Sequence, residues 1–282
     1  MPPINLHLKV RDLLAHGMPL PVGAESPIYH FRATSDEIDR TLHYLEDKVE
    51  QGPTRPVIAD RHLGRLRQMA LVSLIENLER FLKEVAAECI NVLAPITADD
   101  RFDTFHVSGG AVVGHFGTGT LGRALCEAGT WLDCKTINNR FRDVLADPSP
   151  TPPVLPPFQL LRQQPVAERE HYDTLQLIWQ LRHTVVHNVG VVTQSDAVKL
   201  RVLSRRAVQS LQMIVPTRDD LRYLNETADR CNRRVAERLA EVLTRIHGEN
   251  PTLFDPNNRA EHLAAQFRLP VTVGGVSATP PP

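Results

Sequence analysis

Between residues 61 and 93 the chain contains no proline, and Leu63, Leu66, Ala70, Leu71, Leu74, Ile75, Leu78, Phe81, Leu82, Val85 and Cys89 recur on a 3.6-residue rhythm. A helix over this stretch is about 50 Å long, more than a small domain is wide, so other elements must pack along it. The stretch therefore predicts a helical spine, closed by Pro95. Aromatic residues make up only 5% of the 282, so an aliphatic core is expected. The fold class that follows is all-α.

Other segments read as helices laid against that spine. Residues 34–49 form one, with Ser35 and Asp36 as caps, Ile38, Leu42, Leu45 and Val49 on one face, and Gln51-Gly52-Pro53 as its stop. Residues 1–30 are irregular, with room for a short helix over 6–16. Residues 121–145 read as one or two helices marked by Ile137, Phe141 and Leu145. A helix from about 166 ends at Val189-Gly190, the next is capped by Ser195-Asp196 and spans 197–215, and a last one spans 217–248. Pro148, Pro150, Pro152, Pro153, Pro156 and Pro157 require an extended excursion, either a plain connector or a lid or partner-docking strap beside the helix that starts near 166. Residues 117–122 match G-x-G-x-x-G, but no alternating strand and helix series surrounds them, so a loop is expected and no cofactor. The domain division is an N-terminal extension with one helix (1–60), a helical domain (61–247) and a loose C-terminal tail (248–282).

Thirty-two basic and 33 acidic residues nearly cancel, so no global field draws in a polyanion, and any nucleic-acid contact must be local. Cys89, Cys126, Cys134 and Cys231 have no C-x-x-C spacing, which argues against a zinc knuckle or a disulfide framework and for a reducing compartment. No leader-like or membrane-spanning run is visible, so a cytoplasmic protein without a membrane partner is expected.

Chemistry concentrates in Leu181-Arg182-His183-Thr184-Val185-Val186-His187-Asn188-Val189-Gly190. A guanidinium and an imidazole that converge on one phosphate are enough for RNA cleavage without a metal. On an ideal helix Arg182 and His187 point about 140° apart, so a two-fold dimer or the reach of the Arg is needed to bring them together. His183 and His187 share a face at the spacing of a two-His metal site, but Thr184 stands where the zincin motif needs Glu, and no metal is expected. The plainer alternative pairs Arg182 with a carboxylate and leaves His187 as a packed polar residue. Lys199, Arg201, Arg205 and Arg206 form a basic patch one helix later, either an RNA track or a solvated face.

An Arg, four residues and then a His on an all-helical chain resembles the signature of the HEPN superfamily. The context R-H-x-x-V-H-N-x-G is similar to its RiboL-PSP-type members, and Leu74-Ile75-Glu76-Asn77-Leu78-Glu79-Arg80-Phe81-Leu82 resembles the family's acidic early helix. The resemblance spans roughly residues 61–247. It implies a HEPN-like helical bundle that dimerises and acts as a metal-independent endoribonuclease of a toxin or antiviral defence system, with RNA and an antitoxin or defence protein as partners. Arg182 and His187 would be catalytic, His183 and Asn188 would hydrogen-bond near the phosphate, and Glu79 would orient Arg182. Where some relatives carry a Tyr two residues after the motif His, this chain has Val189. The alternative within the same family is a helical interaction or RNA-binding module that has lost catalysis.

Overall fold

The structure, a computed structural model, describes residues 27–53, 56–93, 105–107, 109–110, 113, 121–127, 129, 131, 133–145, 166–249, 272–273 and 276–277. Its elements are α1 (Pro27–Glu50), α2 (Pro56–Leu93), α3 (Leu121–Glu127), α4 (Cys134–Leu145), α5 (Val166–His187), α6 (Gln194–Ser204) and α7 (Arg218–Glu249), followed by a two-residue antiparallel ribbon of β1 (Thr272–Val273) and β2 (Val276–Ser277). The fold is all-α, as the periodicity requires. Among the described residues no helix is long and apolar enough to cross a membrane.

The spine is α2, which packs against α1, α3, α4, α5 and α7. Ile75, Leu78, Phe81, Leu82, Val85 and Ile90 are fully buried along it. It starts at Pro56, ahead of the expected residue 61, because a proline at the first helical position loses no hydrogen bond.

Helix α1 also begins early, at Pro27, so Ser35 is not a cap. Its side chain is buried and its hydroxyl accepts the Asn77 amide N–H at 3.0 Å. Ile28, Phe31 and Leu42 belong to the same apolar core as α2, α4, α5 and α7, and the Phe31 and Phe81 rings meet edge to face at 6.0 Å. The helix assigned to an extension is thus an integral wall of the core. A polar seam fixes it: Arg80 donates to the His30 carbonyl, Thr34 Oγ1 and Asn77 Oδ1, Arg67 Nε meets the buried Glu46 at 2.6 Å, and Arg32 Nε meets Asp229 of α7 at 2.7 Å.

Gly122, the last residue of the glycine-rich run, lies so close to α2 that a Cβ there would overlap the Ala87 carbonyl, and its N–H reaches Asn91 Oδ1 at 2.8 Å. That glycine serves helix packing. Residues 114–120, the proline-rich excursion and the expected helix at 6–16 lie outside the described residues. In α4, Ile137, Phe141 and Val144 are buried with Trp131, whose indole N–H donates to the Cys126 carbonyl at 3.2 Å.

Helix α6 corrects an expectation. It stops at Ser204, not 215, with Arg205 in the left-handed conformation (φ 54°), and its N-cap is Thr193, with Asp196 completing a capping box. Residues 205–217 instead fold back on the end of α5, where Val191 and Met213 form an antiparallel bridge. Thr217 and Asp220 cap α7 in the same reciprocal way.

Candidate active site

Leu175, Ile178, Trp179 and Val185 seat α5 on the core. One helical step from that buried stripe, Arg182 reaches back to α2, where its Nη2 lies 3.4 Å from Glu76 Oε1. Its side chain is mostly buried (17% exposed), whereas that of Glu76 is half exposed (52%). The Arg182 Nε is buried and meets no acceptor. A buried N–H without a partner costs about 1–3 kcal/mol, so Arg182 is held by one long contact and keeps donor capacity for an anion.

A different side of α5 carries the imidazoles, since at 100° per residue His183 and His187 lie about 100° and 140° round from Arg182. The His183 and His187 rings stack with centroids 4.6 Å apart and a 43° tilt, and both residues are exposed. Among the described residues no third His, Cys, Asp or Glu completes a metal-holding group with them. Beneath this face lies Asp196, buried at the start of α6. It accepts the Gln180 amide at 2.9 Å, the Asn188 amide at 2.8 Å and the Thr193 hydroxyl at 2.7 Å. Burial by itself would raise its carboxyl, but the Thr193 hydroxyl and N–H, the Asn188 amide and the field of His183 hold it below the ordinary carboxylate value. Asp196 thus ties the face bearing Gln180, His183 and His187 to α6.

The end of α5 is tightly specified. Val189 and Gly190 both have positive φ, 54° and 82°, and the Gly190 N–H returns to the Thr184 carbonyl. For a β-branched residue such as Val189 this conformation is strained. The turn is pinned by the buried Gln68 of α2, whose amide donates to the Ile214 carbonyl at 2.5 Å and leaves no space for a Cβ on Gly190. Arg65 holds Gln68 Oε1 at 2.8 Å.

No family model, curated protein or solved structure matches this chain. The functional reading therefore rests on the chemistry of α5 itself. Arg182 and His187 sit on one helix but on different sides of it, as their spacing requires, and no hydrogen bond joins them. The acidic partner of Arg182 is Glu76, not Glu79. Glu79 pairs with Lys83 at 2.9 Å and is turned away, since three residues along a helix rotate a side chain by about 60° from the first. Arg80 faces α1 and leaves Glu76 to α5. The Asn188 side-chain amide donates to Asp196 at 2.8 Å, which holds it against α6. Lys199, Arg201, Arg205 and Arg206 are all exposed; the first two lie on α6, and the left-handed Arg205 ends that helix with Arg206 just beyond it. Of the two residues that shape this end of α5, Asp196 has a sequence signal, since Thr193-Gln194-Ser195-Asp196 has the T-x-x-D form of a capping box. For Gln68 the sequence holds no comparable signal.

Proposed function

We propose that the chain is a metal-independent endoribonuclease of a toxin or antiviral defence system. In this reading His187 moves a proton from the ribose 2′-hydroxyl or to the leaving oxygen, and Arg182 braces the charge that develops on the phosphoryl oxygens. The observation that carries it is Arg182: a mostly buried guanidinium with an unpartnered Nε, on the same helix as the exposed His183 and His187 imidazoles. A phosphate oxygen would relieve that unpartnered donor, and Glu76, half exposed and 3.4 Å away, is weakly enough bound to yield.

The two groups face different directions, so the reading also proposes a two-fold dimer in which the imidazoles of one copy approach Arg182 of the other. Val186 and Val189, exposed on either side of His187, supply apolar surface for that contact. The direct test is incubation of the purified protein with bulk RNA, comparing the natural chain with Arg182→Ala and His187→Ala. Cleavage that both variants retain removes the assignment.

A second reading, a helical interaction module without catalysis, is favoured by the engagement of Asn188 with Asp196 and of Glu79 with Lys83, which gives two of the expected supporting residues partners away from Arg182. Absence of cleavage by the dimeric protein selects it.

A further inference from the structure

Helix α6 is apolar on two sides. Its inner side packs on α5, where Ala197 and Leu200 join Val192, Leu177 and Leu181 in a small core. Its outer side carries Val198 and Val202, one turn apart and 53% and 74% exposed. Neither valine serves the helix itself, because a β-branched residue is a poorer helix former than the long polar residues that suit a solvated face. At 100° per residue, Lys199 and Arg201 lie about 80° to either side of the line through these valines, and Arg205 and Arg206 follow at the C-terminal end. All four cations are exposed, and among the described residues none of their side chains makes an ion pair or a hydrogen bond. The face is an apolar ridge between two basic margins.

We propose that this face docks a partner protein through an amphipathic helix, whose apolar stripe covers Val198 and Val202 and whose acidic residues flank that stripe to meet Lys199 on one side and Arg201 on the other. With 11 residues, α6 is about 16 Å long, so the partner contributes about three turns. A nucleic acid would engage the cations, but it would leave both valines in water, and α6 has no aromatic side chain on which a base could stack. A helix with an apolar row between two acidic rows uses every exposed group of the ridge and its margins. The docking involves neither Arg182 nor His187 and holds whether or not the protein cleaves RNA.

The test is titration of the full-length protein with a synthetic helical peptide of about 18 residues, built from Leu, Ala and Glu with the leucines in one stripe and the glutamates on both its flanks. Its counterparts are the same composition in scrambled order, the same stripe with Lys for Glu, and a single-stranded RNA of equal charge. Peptide anisotropy and the Val198 and Val202 methyl resonances report binding. The acidic amphipathic peptide should bind with a dissociation constant of roughly 10–100 µM, the scale of a contact below about 1,200 Å², and about tenfold more tightly than each counterpart. Val198→Ser with Val202→Ser, both at exposed positions, should weaken it about tenfold. Lys199→Glu with Arg201→Glu should abolish its binding and transfer the preference to the lysine peptide, a gain that loss of folding could not produce. Equal binding of the scrambled peptide, tighter binding of the RNA, a charge-reversed protein that does not take up the lysine peptide, or self-association of the free protein that the two serines abolish, each overturns the proposal.

Discussion

Gly190→Ala tests the account of how α5 ends. At φ 82° an alanine sits in the left-handed region, at a cost of about 1–2 kcal/mol. The added Cβ also overlaps the Gln68 amide. Although Gln68 ends in a flexible group, it is 1% exposed and its amide is bonded to the Ile214 carbonyl, so moving it strands a buried donor and acceptor at about 1–3 kcal/mol. The two effects together predict a loss of about 2–5 kcal/mol, or roughly 4–20 °C in Tm. Urea denaturation of Gly190→Ala, Gln68→Ala and the double variant separates them, because with Gln68 truncated the alanine should cost only the backbone part. Strictly additive losses in that cycle would refute the steric argument, and a Gly190→Ala loss below about 0.5 kcal/mol would refute both parts.

On the ribonuclease reading, Arg182→Ala and His187→Ala should each lower the cleavage rate by about 10²–10⁴ with unchanged helical content by circular dichroism; full activity in either variant counts against it. The products should carry 2′,3′-cyclic phosphate and 5′-hydroxyl ends and form in EDTA, whereas a 2′-deoxy nucleotide 5′ of the cut should block the reaction; mass spectrometry of the fragments decides. Asp196, held below its ordinary carboxylate value, contributes stability above about pH 4 that is lost as pH falls, so the stability gap between the natural chain and Asp196→Asn should narrow on acidification in denaturant titrations. Burial pushes the Cys126 thiol up to about 12, so the folded state keeps a proton that the unfolded chain releases from about pH 9; stability should fall as pH rises through that window, and iodoacetamide at pH 8 should leave Cys126 unmodified until the protein unfolds.

Local pattern determined much of this protein. The apolar rhythm of residues 63–89 specifies a long helix whatever surrounds it, and that helix is the element five others pack on. The spacing of Arg182 and His187 equally specifies that the two diverge on α5, because helix geometry is independent of tertiary context. Where tertiary contacts outweigh local preference, the sequence was silent or misleading. Ser35 looks like a cap and is instead a buried partner of Asn77. The segment after Ser204 has residues that suit a helix, but it is drawn into a bridge with Val191, where the backbone of residues 190–192 bonds to that of residues 211–214. Glu76 and Glu79 are alike in sequence, and only the rotation of α2 against α5 decides that Glu76 meets Arg182 while Glu79 turns to Lys83. Helix periodicity is a property of neighbours three and four residues apart, whereas the partners of Arg182 and Gly190 come from more than a hundred residues away, and only packing brings them within reach.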